Sequence, residues 1–202
     1  MESDSYYSIK SASEGIYKEK GSRFLANAFP FINAGDIKPI LEKIRKEHHE
    51  ARHHCFAYMI GKERLTWRVS DDGEPSGTAG RPILGQINSS GLTNILIVVS
   101  RYFGGTLLGV SGLINAYRSA AASAIDNAEI EECTIKNYYE ITFPYISMND
   151  VMKILKEEDI EHSDQIFDLR CKMKISFRAS SEVKILDQFH RIKDLRYLQL
   201  KA

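Results

Sequence analysis

The sequence predicts an α+β protein of two α/β sandwich domains, split near residue 134. Two observations predict it. Beyond residue 134 the hydrophobic period runs strand, helix, strand, strand, helix, strand, the β-α-β-β-α-β order of a ferredoxin-like unit. Before it, alternating strands and 3.6-period segments are broken by two Gly-rich loops. A length of 202 residues, with 43% hydrophobic residues, suits one large or two small cores and excludes global disorder.

Residues 1–20 read as a polar lead-in. Gly21 to Ile32 reads as a strand. Asp36 is placed to cap a helix with Pro39 in its first turn, and Ile37, Ile40, Leu41 and Ile44 follow one helical face. From Arg52 the period changes to two: His53, Cys55, Ala57 and Met59 alternate with His54, Phe56, Tyr58 and Ile60. Leu65 to Val69 is a second short strand. Residues 71–82 hold three Gly and two Pro, so they form a loop. Ile83 to Ile87 reads as a short helix. Thr93 to Ser100 is the most apolar strand, which predicts cover on both faces. A second Gly-rich loop, Gly104 to Gly112, leads into a helix from Leu113 to Asn127, rich in Ala.

In the second domain, Tyr139, Ile141 and Phe143 alternate as a strand. Ser147 and Asp150 resemble a capping box before a helix carrying Met148, Val151, Met152 and Leu155. Ile160 to Phe167 is a strand, and Asp168 turns the chain. Cys171, Met173, Ile175 and Phe177 alternate in the next strand. Ser180 or Ser181 caps a helix with Val183, Ile185, Leu186 and Phe189. Leu195 to Leu200 closes the sheet.

The 27 basic and 27 acidic side chains cancel, so a uniformly basic nucleic-acid surface is excluded and any polyanion site must be local. Cys55, Cys133 and Cys171 are odd in number and widely spaced, which fits reduced, buried thiols rather than a disulfide framework. No apolar run approaches the roughly 20 residues of a membrane span. The opening Met1-Glu2-Ser3-Asp4-Ser5 carries acids and no apolar stretch, so no signal peptide and a cytoplasmic location are expected.

Four motifs could carry chemistry. His49-Glu50-Ala51-Arg52-His53 is a literal H-E-x-x-H, but it straddles the change from helical to strand period, so the two His need not share a face and no metal is expected. The loop before the Ala-rich helix could place backbone N–H groups on an anion, although it has no Gly-Lys-Ser/Thr. The same Gly residues could simply allow tight turns and close packing. Between Lys62 and Lys136 the only cations besides His are Arg64, Arg68, Arg81, Arg101 and Arg118, interspersed with Asp71, Asp72 and Glu74. Arg favours bidentate anion contacts and buried pairs. This yields a candidate binding cleft of His53, Asp72, Glu74, Ser76, Thr78, Arg81, Arg101, Gly104, Gly105, Gly109 and Gly112, with no catalytic residue and no cofactor expected. Finally, if Cys171 and its alternating partners face the helices, Arg170, Lys172, Lys174 and Arg178 face outward on one strand. With Tyr138 beside them they form a candidate RNA platform.

Asp71-Asp72-Gly73-Glu74-Pro75-Ser76-Gly77-Thr78-Ala79-Gly80-Arg81-Pro82-Ile83-Leu84 resembles the signature of the YigZ/IMPACT family. So do Ser100-Arg101-Tyr102-Phe103-Gly104-Gly105-Thr106-Leu107-Leu108-Gly109 through Leu113, the strand Ala51 to Tyr58, and Gly21-Ser22-Arg23-Phe24. The resemblance covers residues 15–130 and extends through the C-terminal unit of bacterial members. It implies an N-terminal domain like one of a ribosomal small-subunit protein and like domain four of elongation factor G. The C-terminal domain would be similar to domain five of that factor. Relatives of the family include translation regulators that bind a ribosome-associated activator of a stress kinase through an extra N-terminal domain; no such domain is expected here, so that role is not carried over. The implied function is a non-enzymatic, translation-associated regulator that binds the ribosome, RNA or a ribosome-bound protein partner, with no membrane association. The alternative is a small-molecule- or nucleotide-binding enzyme using the Gly104–Gly112 loop and the Asp71–Thr78 turn.

Overall fold

The computed structural model describes residues 4–200. Met1, Glu2 and Ser3, on which the expectation of no signal peptide partly rests, lie outside the described residues. The chain is mixed α/β and divides into two compact units, Tyr6–Cys133 and Thr134 onward, the second joined by Asp4 and Ser5.

The lead-in is strand, not loose chain. β1 (Ser5–Ile9) and β2 (Ser13–Glu19) precede β3 (Ser22–Pro30). α1 (Ile37–Glu47), β4 (His53–Ile60), β5 (Thr66–Ser70), α2 (Gly80–Ser89), β6 (Ile95–Tyr102), α3 (Gly109–Asp126) and β7 (Ile130–Thr134) follow. A five-stranded antiparallel sheet has the order β2-β3-β6-β4-β5, and β1 pairs with β7 in a two-stranded ribbon. β2 escapes the apolar-alternation test because a glycine stands where it approaches α3 most closely. A Cβ on Gly15 would lie 2.2 Å from the backbone N of Ala124, so only hydrogen lets β2 and α3 approach.

β6 occupies the middle of the sheet and is buried from Ile95 to Arg101. Leu96 and Val98 pack with Leu41 and Ile44 of α1 on one face. Ile95, Ile97 and Val99 pack on the other with Ile83 and Ile87 of α2 and with Ala116, Ala120, Ala121 and Ala124 of α3. Each fully buried aliphatic side chain contributes about 1.5–3 kcal/mol of transfer free energy.

The second unit contains β8 (Lys136–Pro144), α4 (Met148–Glu157), β9 (Glu161–Ile166), β10 (Arg170–Arg178), α5 (Glu182–His190) and β11 (Arg196–Leu200). Its antiparallel sheet has the order β11-β8-β10-β9. One face buries Ile141, Phe143, Met173 and Ile175 against Val151 and Leu155 of α4 and Ile185 and Phe189 of α5.

The expected helix caps are corrected. Asp36, Ser147 and Ser181 directly precede their helices, yet none accepts a capping hydrogen bond. A 3-10 turn leads into each helix and holds these residues at φ from −82° to −90° and ψ near zero. A side-chain cap normally needs extended backbone. Asn33, extended at φ −132°, caps the 3-10 turn instead, its side chain accepting from Gly35 N.

Candidate functional site

The loop at 71–80 is organised by its acids. The Asp71 carboxylate accepts from Gly77 N at 2.8 Å, Ala79 N at 3.0 Å and Gly80 N at 2.8 Å, closing the turn and supplying the N-terminus of α2 with an anion. Burial opposes this charge, but the three N–H donors outweigh it and hold the carboxyl below its usual range. Asp72, at φ +43°, accepts His54 N on its carboxylate at 2.7 Å and the Nδ1–H of His53 on its carbonyl at 2.8 Å. Because a carbonyl can only accept, this bond places a proton on Nδ1 of His53. Thr78 is spent on the Pro75 carbonyl at 2.7 Å.

Beneath the loop lies a buried polar chain. Arg101 Nη1 donates to Glu74 Oε1 at 2.7 Å, and the Tyr117 hydroxyl donates to the same oxygen at 2.8 Å. Cys55 Sγ lies 3.3 Å from the Tyr117 hydroxyl and 3.0 Å from the Asp71 carbonyl. Arg101, only 7% exposed, lies between the rings of Phe24 and Phe103. Burial pushes both the Cys55 thiol and the Tyr117 phenol well up, so neither is an activated nucleophile or base.

A pocket of about 440 Å³ opens over this chain. Of the sequence-predicted cleft residues, His53, Glu74, Arg101 and Gly109 line it. Arg52, Pro75, Phe103, Leu107, Leu108, Val110 and Leu113 complete the lining, and the charge-based reading had missed them. The available signal was apolar residues inside a Gly-rich loop, where solvent exposure is expected. Leu107 is 83% and Val110 59% exposed.

Asp72, Ser76, Thr78, Arg81, Gly104, Gly105 and Gly112 do not line this pocket. Arg81 follows the first residue of α2, where its charge favours the Asp71 carboxylate. Gly104 is a packing residue: a Cβ there would lie 1.9 Å from the Gly21 carbonyl carbon. The second loop is also shorter than expected. α3 begins at Gly109, which places Gly109 and Gly112 on the helix. Gly109, at φ +69°, has nothing within 4 Å of its Cβ position.

His49 lies beyond the end of α1 while His53 opens β4, so the H-E-x-x-H residues share no helix. Among the described residues, no cluster of three His, Cys, Asp or Glu side chains could hold a metal ion.

On the second unit, Arg170, Lys172, Lys174 and Arg178 are exposed along β10, with half-exposed Tyr138 opposite Ser176. Each cation has a partner. Lys172 pairs with Glu140 at 2.9 Å, Lys174 with Asp164 at 2.8 Å and Arg178 with Asp4 at 3.3 Å, while Arg170 donates to the Asp194 carbonyl at 3.2 Å. Among the described residues, no helix is long and apolar enough to cross a membrane.

Comparison with known proteins places the chain in context. Residues 20–125 match the Impact N-terminal domain. The IMPACT family member YvyE of Bacillus subtilis is 31% identical over 167 residues, spanning 80% of this chain and 77% of the relative. The IMPACT family member YigZ of Escherichia coli is 36% identical over 142 residues, spanning 69% of this chain and 70% of the relative. A crystal structure of a hypothetical protein, 28% identical, superposes with a TM-score of 0.72 over 98% of both chains.

Proposed function

The chain belongs to the IMPACT family, and from that premise we propose that it is a cytoplasmic, translation-associated regulator that acts by binding the ribosome or its RNA. The observation that carries this reading is the helix-free face of the second sheet. There Arg170, Lys172, Lys174 and Arg178 are aligned on interior strand β10, with Tyr138 on adjacent β8. Protection of a sheet edge does not account for cations on an interior strand. The ion pairs that hold Lys172 and Lys174 are exposed, and such pairs contribute only about 0–1 kcal/mol, so phosphates can replace the carboxylates at little cost. The β-α-β-β-α-β order supports a ferredoxin-like unit similar to domain five of elongation factor G, and the N-terminal unit is read as similar to domain four. A binding role also fits the Cys55 thiol and the Tyr117 phenol beneath the cleft, both of which burial pushes up.

Binding of single-stranded RNA and co-sedimentation with ribosomes at graded salt test the reading. Contact of four cations with phosphates predicts a slope of log K against log salt of about −3, at roughly −0.7 per phosphate. The K172A/K174A double substitution should reduce the slope magnitude by about 1.4 and weaken binding alike for unrelated sequences. An unchanged slope removes β10 from the interface. No affinity at ~50 mM salt refutes the RNA reading.

A further inference from the structure

The pocket beside Arg101 contains an acceptor that the ribosome reading does not use. Glu74 lines this pocket, with its side chain only 3% exposed. The two oxygens of its carboxylate differ. Oε1 accepts from Arg101 Nη1 at 2.7 Å and from the Tyr117 hydroxyl at 2.8 Å. Oε2 accepts from no described residue. The atoms that are both sealed from solvent and without a partner are Asn27 Oδ1, Arg64 Nε and Arg101 Nε among the described residues, and Glu74 Oε2 is not one of them. Oε2 therefore keeps surface that a ligand can reach. A carboxylate has about four acceptor positions. A buried one with an oxygen left unpaired carries a cost, which an entering donor relieves through a charge-assisted hydrogen bond.

The rest of the lining decides what kind of donor enters. Phe103, Leu107 and Val110 line the pocket and are exposed. A water molecule could donate to Oε2, but it would leave this apolar surface wet. A donor carried on an apolar body serves both. The charges in the lining select against ions. A cation would meet the Arg101 and Arg52 guanidinium groups, and an anion would meet the Glu74 carboxylate. The volume of about 440 Å³ lies within the range of small-ligand sites, roughly 300–1,000 Å³.

We infer that this pocket binds a neutral hydroxyl group carried on a compact apolar body, of the phenol or aromatic-alcohol class. The hydroxyl donates to Glu74 Oε2, and the ring lies against Phe103, Leu107 and Val110. An O–H donor is preferred because O–H···O⁻ hydrogen bonds are the shortest of the charge-assisted kind. The chemistry has two sources, a free phenol or the side chain of a tyrosine presented by another chain. The inference is independent of RNA binding, whose test concerns the other unit.

The test uses the full chain, calorimetry and four probes that differ at one position: phenol, anisole, benzoate and benzylammonium. Phenol should bind. Anisole, which keeps the ring and loses the donor, should be weaker by about tenfold or more, the usual scale of a hydrogen bond to a charged group. Benzoate and benzylammonium should each be weaker than phenol. An acetylated tripeptide amide with a central tyrosine separates the sources: its binding beside that of phenol assigns a tyrosine side chain, and binding of phenol without it assigns a free molecule.

Two variants locate the contacts. Leu107→Lys changes an exposed side chain, so the fold is retained. It should weaken phenol and anisole alike, by about fivefold. Glu74→Gln, with folding checked by Trp67 emission, should bring phenol and anisole to within about threefold of each other. Equal affinity of the parent for phenol and anisole, tighter binding of either ion than of phenol, no effect of Leu107→Lys, or no binding of phenol at ~10 mM overturns the inference. Undiminished selectivity for phenol in folded Glu74→Gln overturns it as well.

Discussion

Replacing Glu74 by Gln removes one charge from the buried chain and preserves its shape and its acceptor for Tyr117. Arg101 then keeps a full positive charge in a site 7% exposed, without its anion. Breaking a buried pair in this way costs about 3–5 kcal/mol. That is a large fraction of the roughly 5–15 kcal/mol that holds a domain together. Arg101→Met should cost a similar amount, because Glu74 would retain only the Tyr117 hydroxyl. The E74Q/R101M double variant leaves no uncompensated charge, so it should cost no more than either single change. The coupling between the two sites should therefore be about 3 kcal/mol.

Urea unfolding followed by tryptophan emission measures the effect. The chain has one tryptophan, Trp67 on β5 of the same unit, so the signal reports that unit alone. With an m-value of about 2 kcal/mol/M, the single variants should lower the midpoint by about 2 M. If the two single losses simply add in the double variant, the pair does not hold this site together and the account of its floor is wrong.

Two further outcomes follow from packing and from a buried histidine. Gly15→Ala should destabilise the N-terminal unit by about 1–3 kcal/mol, since its Cβ would meet the Ala124 backbone at 2.2 Å, whereas Gly85→Ala on α2 meets nothing within 4 Å and should gain about 0.5–1 kcal/mol; equal effects in urea unfolding would refute the close approach of β2 and α3. Burial holds the His54 imidazole below its ordinary value of 6.5, outweighing nearby Asp72, while Arg45, His48 and His53 act in the same direction as burial. Its contribution to stability should therefore be full above pH 6.5 and be lost as pH falls below it, because the unfolded state takes up the proton first. The His54→Gln variant should lose less stability than the parent between pH 7.5 and about 5.5, and a greater loss would show that the histidine is protonated in the fold.

The sequence by itself determined the elements whose pattern is local. The apolar run at Ile95 to Val99 marked the central strand because both of its faces are buried. The alternation of Cys171, Met173, Ile175 and Phe177 marked β10 because one face is covered by helices. The motifs at 71–84 and 100–113 identified the family on residue order alone.

Tertiary structure decided what depends on distant neighbours. β2 is a strand because it pairs with β3 and because Gly15 admits α3, and neither partner is visible in Ser13 to Glu19. Asp36, Ser147 and Ser181 are ordinary capping residues in sequence, but the 3-10 turns before them remove the extended backbone that a cap requires. The acids at 71–74 announced a site, yet their roles were divided by the fold: Asp71 and Asp72 fasten the backbone, and Glu74 alone reaches the floor. The apolar wall of Phe103, Leu107 and Val110 was hidden in a loop read for its glycines. Exposed apolar side chains become a pocket only when β6, the 71–75 turn and the start of α3 are brought together.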